Sequence, residues 1–169
     1  MDYLALIDRS KLHYKRSDVT PIFAEPAAFA RLVEDLAGPY RGAGVQRVAG
    51  TDALGFIVGT ALALRLGVGF VPIRKGGKLP VRHERAEFTD YTGAAKALEL
   101  RAQPWPAGTR VLLVDEWIET GAQARAAVEL IERAEGVVAG IAAIAFRRNE
   151  KTAPLWARYR CHGVWPEQP

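Results

Sequence analysis

The stretch Val111-Leu112-Leu113-Val114-Asp115-Glu116-Trp117-Ile118-Glu119-Thr120-Gly121-Ala122-Gln123, followed by Ala124 to Ala134, decides how the chain reads. Val111 to Val114 is an unbroken apolar run of strand length behind the turn-forming Pro106-Ala107-Gly108, the pattern of a strand buried on both faces. Such a strand delivers Asp115 and Glu116 to its C-terminal end, where ligands bind in open α/β sheets. Thr120 and Gly121 then lead into a helix marked by Ala127, Leu130, Ile131 and Ala134 on one face. The free N–H groups and dipole at its start favour a phosphate. A polyol and a phosphate can therefore be held side by side. On these residues alone a second reading stays open, because an acidic pair after a strand is often a solvated turn with a helix cap.

The flanking sequence extends the same alternation. Glu25 and Pro26 open a helix with Phe29, Leu32, Val33 and Leu36 at helical spacing, closed by Gly38-Pro39. Val45 to Ala49 reads as a short buried strand, and Val137 to Phe146 as a longer one. Ala53 to Ile73 is 21 residues long with Arg65 as its one charge, close to the length of a membrane span. Arg65 inside it, glycines at 55, 59, 67 and 69, and β-branched residues only after Gly67 argue instead for a buried helix, about Phe56 to Leu66. Gly67 caps that helix and a strand Val68 to Ile73 follows. Strands alternating with helices imply βαβ units with right-handed crossovers. The class is α/β, a Rossmann-like, mostly parallel sheet flanked by helices.

From Gly76 to Gln103 the pattern loosens into a charged stretch, Lys75, Lys78, Arg82, His83, Glu84, Arg85 and Glu87 before Phe88 and Tyr91. It reads as an exposed excursion from the sheet, of the kind that is usually a functional lid or a disordered segment. The tail from Lys151, with Pro154, Pro166 and Pro169, offers no legible chemistry. Trp105, Trp117, Trp156 and Trp165 read as core or interface anchors, Trp117 standing near the ligand region.

With 169 residues, 49% of them hydrophobic and 25% charged, the chain is sized for a single domain, residues 1–169, with a sizeable core. Lys and Arg outnumber Asp and Glu by 23 to 19, giving +4, which suits an anionic small molecule as well as nucleic acid. The basic residues are scattered and not interleaved with aromatics, which disfavours nucleic acid; a gel shift at two salt concentrations tests that reading. Cys161 is the sole cysteine, so an intrachain disulfide is impossible and a Cys-based zinc site lacks ligands, as does any site built on the isolated His162. Met1 to Ser10 lacks a basic-then-apolar leader pattern, so a reducing, cytoplasmic location without a membrane is expected.

Three strings carry a resemblance. The Asp115 to Gln123 stretch looks like the 5-phosphoribosyl-1-pyrophosphate (PRPP) signature of type I phosphoribosyltransferases. Gly50-Thr51-Asp52-Ala53-Leu54-Gly55-Phe56 and Gly69-Phe70-Val71-Pro72-Ile73-Arg74-Lys75-Gly76-Gly77-Lys78-Leu79-Pro80 resemble the adenine branch of that family, as does Asp18-Val19-Thr20-Pro21-Ile22-Phe23-Ala24-Glu25-Pro26. The resemblance implies transfer of the phosphoribosyl group of PRPP to a purine-type, adenine-like base with release of pyrophosphate, and PRPP and a purine-type base or nucleotide as partners. It also implies Mg²⁺ as cofactor, a homodimer, a small N-terminal hood at about residues 1–20 and a mobile loop at about 76–97. Asp115 and Glu116 are then expected on the ribose hydroxyls and, through water, on Mg²⁺. Glu119, Thr120, Gly121, Ala122 and Gln123 are expected around the 5-phosphate. Asp52 and Ala53 lie where the pyrophosphate loop turns, with Arg74, Lys75 and Lys78 as cations beside it. Asp90 and Tyr91 match an acid followed by Tyr in the family's catalytic loop, with Thr92 inserted before Gly93.

The chain also departs from that family. Leu54 stands where the adenine enzymes have Arg, removing a charge that faces the leaving group. Glu116 replaces a second Asp, and Gln123 replaces the Thr that ends the phosphate loop. Glu119 is an anion in that loop, readable as a base-side proton acceptor or as a solvent-facing group. Lys11 to Ser17 lacks the usual hood pattern, leaving His13 and Tyr14 either against a base or structural. These departures sustain a rival reading, a catalytically weak PRPP- or nucleotide-binding regulator.

Overall fold

The computed structural model describes residues 2–10, 17–90 and 92–165. The expectations for His13, Tyr14, Tyr91, Pro166 and Pro169 lie outside the described residues. In chain order the main elements are α1 (Thr20–Ala24), α2 (Pro26–Ala37), β1 (Arg47–Thr51), α3 (Leu54–Leu66), β2 (Gly69–Lys75), β3 (His83–Thr89), β4 (Ala95–Arg101), β5 (Arg110–Ile118), α4 (Ala122–Arg133), β6 (Val137–Phe146), α5 (Ala153–Arg158) and β7 (Cys161–Trp165).

One seven-stranded sheet runs β3-β4-β2-β1-β5-β6-β7. The run β2-β1-β5-β6-β7 is parallel, while β4 pairs antiparallel with both β2 and β3. Alternation along β5 shows why a continuous apolar run was needed. Val111 and Leu113 face a core shared with α4, and Leu112 and Val114 face a second core shared with α2, α3 and the N-terminal segment. Each such fully buried Val or Leu contributes about 1.5–3 kcal/mol.

Glycines set the approach of α3 to the sheet. A Cβ on Gly50 would stand 2.4 Å from the Gly55 carbonyl oxygen, and one on Gly55 would stand 3.0 Å from the Val114 oxygen. The start of α3 thus lies directly on the ends of β1 and β5. Gly67 closes the helix in the left-handed conformation, φ 70°, its amide bonded to the Ala63 and Leu64 carbonyls.

Two stretches differ from their sequence reading. The charged excursion after Gly76 is a hairpin that extends the sheet, with Ala86, Leu98 and Leu100 buried in the core under it. Charged residues occupy both faces of edge strand β3, which hides its strand periodicity. The tail folds as α5 and β7, and β7 pairs with β6 from Ile141↔Cys161 to Ala145↔Trp165. Buried Tyr40 pins this edge, its hydroxyl donating to the carbonyls of Ile141 and Arg160 at 2.8 and 3.0 Å. The N-terminal segment contributes buried Tyr3, Ile7 and Val19 and an antiparallel bridge between Asp8 and Asp18.

Candidate active site

At the C-terminal ends of β1, β2 and β5 lies a cleft of about 930 Å³, walled on its far side by the β3–β4 hairpin. The segment 52–54 lines it, as do Lys75 to Gly77, residues 115–124, and Arg85, Glu87, Phe88, Asp90 and Ala95 to Ala97 from the hairpin. The tight seating of Gly55 on β5 is what brings Asp52, Ala53 and Leu54 to the same cleft as Asp115. The peptide bond between Asp52 and Ala53 is cis.

Asp115 is 3% exposed. Its Oδ1 accepts the Glu116 amide and its Oδ2 accepts the Gln123 side-chain amide, each at 2.9 Å. Burial, followed by the neighbouring Glu116 charge, pushes its carboxyl well above the usual carboxylate range. The Thr51 hydroxyl acts in the opposite direction, although it completes no hydrogen bond of standard geometry. Gln123 therefore has a definite role: it reaches back from the first turn of α4 to orient Asp115.

The loop between β5 and α4 ends at Gly121, φ 71°, which caps α4 and leaves the amides of its first turn without helical partners. Those amides face the cleft as a ready anion site. Arg125 braces the loop from behind, donating to the Thr120 and Lys151 carbonyls. Glu119 also lines the cleft, and its carboxylate pairs with Arg147 at 3.6 Å while Asn149 donates to its carbonyl at 2.9 Å. That pairing offsets the repulsion an acidic group would otherwise exert on a phosphate.

The expected cations separate. Lys75 lines the cleft, whereas Arg74 and Lys78 are not part of its wall. Arg74 instead pairs with Asp52 at 3.2 Å and lies over the Phe56 ring at 5.9 Å. Asp90 sits at the hairpin tip, its Oδ1 accepting the Thr92 amide and hydroxyl and the Ala94 amide. The Thr92 hydroxyl, the largest of these influences, lowers its carboxyl below the usual range. Sequence reasoning missed Arg85 and Lys96 as cleft cations, because only the hairpin pairing brings their strands to the cleft wall. Among the described residues the wall carries six carboxylates (Asp52, Glu87, Asp90, Asp115, Glu116, Glu119) against three cations (Lys75, Arg85, Lys96).

A match to the phosphoribosyl transferase domain family covers residues 22–165. This chain belongs to the phosphoribosyltransferase family. Adenine phosphoribosyltransferase of Thermobifida fusca is 43% identical over 127 residues, 75% of this chain and 72% of the relative. The enzyme of the same name from Kineococcus radiotolerans is 45% identical over 143 residues, 85% and 74% of the two chains. Among solved structures, the adenine phosphoribosyltransferase of Rhodothermus marinus superposes with a TM-score of 0.86 at 31% identity, covering 96% of this chain and 94% of that one. That of Giardia lamblia, complexed with 9-deazaadenine, superposes with a TM-score of 0.89 at 28% identity over 99% and 97%. The phosphoribosyltransferase fold is thereby the frame in which the cleft is to be understood. Among the described residues no helix is long and apolar enough to cross a membrane, and no three His, Cys, Asp or Glu cluster as a metal cage. Asp115 and Glu116 nevertheless offer adjacent hard oxygens, which fit Mg²⁺ because that ion keeps its waters and takes remaining ligands from substrate.

Proposed function

We propose that this phosphoribosyltransferase transfers the 5-phosphoribosyl group of PRPP to a purine-type, adenine-like base and releases pyrophosphate. One observation carries the reading: a buried carboxylate on β5, the amide-rich start of α4 and the 52–54 segment meet in one cleft. Asp115 and Glu116 hold the ribose hydroxyls, and the 119–123 loop holds the 5-phosphate with backbone amides. Asp52, Ala53 and Lys75 lie at the pyrophosphate end. The base nitrogen forms its bond to C1 as the C1–O bond breaks and pyrophosphate departs with the electron pair. Positive charge on the ribose in between is compatible with the acidic wall. Rate arises from alignment and from clamping the departing charge.

Asp115 and Glu116 would hold Mg²⁺ through water, and the ion would supply charge neutralisation for the pyrophosphate beside a wall rich in carboxylates. The hairpin tip around Asp90 closes over the bound substrates and excludes water. The chain acts in the cytoplasm as a homodimer, and the dimer is supported by α3, which leaves Ile57 42% and Leu64 78% exposed.

Calorimetric titration with PRPP and Mg²⁺, followed by a screen of purine bases for pyrophosphate release, tests the reading. Binding with adenine-dependent release is the expected result. Binding without release from any base would favour a regulatory PRPP-binding protein, and absence of PRPP binding would overturn the assignment.

A further inference from the structure

Glu99 lies on β4, the strand between β2 and β3, and the register sets it beside Arg74 on one neighbour and Arg85 on the other. It is 2% exposed, and none of the roles above uses it. Its carboxylate accepts three successive backbone amides, from Gly77 at 2.6 Å and from Lys78 and Leu79 at 3.2 Å each. Arg85 Nη1 adds a fourth donor at 3.3 Å, and His83 Nε2 approaches to 3.6 Å.

Consecutive amides converging on one point form an anion-binding nest, here closed on an internal carboxylate. Gly77, with φ +79°, supplies the left-handed residue the nest requires. So many donors offset the cost of desolvating the charge, and the Gly77 amide, the largest influence, lowers the carboxyl below its usual range.

Two of the clasped groups, Gly77 and Arg85, line the cleft directly, and Lys75 and Gly76 do so just before the nest. Gly76 is wedged there, since a Cβ would stand 3.1 Å from Arg85 Nη1 and 3.2 Å from Ala97 Cβ. Asp52, whose segment shares the cleft, bonds through its amide to the Ile73 carbonyl of the same strand that carries Lys75. With Leu54 uncharged and Arg74 paired with Asp52, Lys75 and Arg85 are the cations that the described residues bring to the cleft wall beside this turn.

The geometry points to Glu99 as a positioning residue for the pyrophosphate end of the substrate, acting by holding the 75–79 turn and by presenting Arg85, which takes up charge that Leu54 does not. The inference rests on the function proposed above and adds to it a residue pair for leaving-group recognition.

Glu99→Gln, Glu99→Asp and Arg85→Met are compared with the parent chain by titration with PRPP plus Mg²⁺, with pyrophosphate and with AMP. Losing a charge-assisted contact predicts about a tenfold loss of PRPP and pyrophosphate affinity in Glu99→Gln and Arg85→Met. AMP affinity should stay within about twofold, because AMP brings no pyrophosphate. The KM for PRPP should rise more than kcat falls, Glu99→Asp should recover part of the loss, and the effects of Glu99→Gln and Arg85→Met should fall short of additive when combined. Equal losses for AMP and PRPP would reduce Glu99 to a purely structural role, and unchanged PRPP affinity in the folded Arg85→Met protein would overturn the inference. Arg85 is half-exposed and its variant does not disturb the core, so this arm stands even where Glu99→Gln fails to fold. A parent chain that binds AMP and PRPP while the variants show no selective loss sinks this inference alone. A parent chain that binds no PRPP sinks the functional reading and the inference with it.

Discussion

Asp115 is under two opposed demands. The proposed function needs it charged to bind ligand, while burial and Glu116 favour the proton and raise its carboxyl above the ordinary 3.8. For an acid whose folded pKa is raised, the associated stability is fully present below the unfolded pKa and is lost as pH rises through the folded one. Asp115→Asn should therefore raise the Tm of the ligand-free chain at pH 7, an amide being able to keep the Gln123 contact after that side chain flips. The same change should weaken PRPP and AMP alike by about 1.5–3 kcal/mol, the worth of hydrogen bonds to a charged acceptor. Calorimetry of both ligands beside a thermal melt at pH 5 and 7 checks this, and the Tm gain should shrink at the lower pH. Leu54→Arg belongs to the same scale. It should strengthen PRPP binding or speed transfer up to about tenfold by adding a cation at the pyrophosphate segment, with AMP affinity unchanged. Abolished PRPP binding in that variant would show that the segment is not built for pyrophosphate.

At the scale of elements, the site exists because α3 can lie against the ends of β1 and β5. Gly50→Ala would drive a methyl into the Gly55 carbonyl at 2.4 Å and the Phe70 ring at 2.8 Å. Such overpacking costs about 1–3 kcal/mol and lowers Tm by several degrees. Because the displaced element carries residues 52–54, PRPP affinity should fall as well. Gly38→Ala, with nothing within 4 Å and helical dihedrals, should change neither quantity. Thermal melts of the two variants, paired with PRPP titrations, separate a local packing fault from a general intolerance of added volume. The hairpin β3–β4 is the element that sequence periodicity concealed. Glu99 lies on it, and only the antiparallel pairing places it under the 77–79 turn.

At the scale of the molecule, α3 leaves apolar surface in water that the fold itself does not cover. In the proposed dimer, exposed Ile57 and Leu64 on this helix are where the second copy would dock. Leu64→Glu should convert a dimer into a monomer in light scattering while leaving the melting profile of the isolated chain close to the parent. A parent chain whose mass is that of a monomer at every concentration would contradict the dimer.

The amino-acid sequence determined the parts of this protein whose signal is local. Val111 to Val114 and Val137 to Phe146 announce buried strands because both faces must be apolar, Gly67 announces a helix end because it adopts φ > 0, and Asp115 to Gln123 joins strand end, acids and helix start in one run. The α/β class and the kinship of the cleft follow from these strings. Tertiary structure decided what depends on partners far apart in the chain. Arg74 turned to Asp52 rather than to the cleft, Arg85 and Lys96 came into its wall, and Glu99 became a clasp for backbone 20 to 22 residues away. Likewise β7 reads as a plain tail until β6 supplies its hydrogen bonds. A charged side chain carries no local signal of which opposite charge or amide it will meet, and only the packed sheet settles that choice.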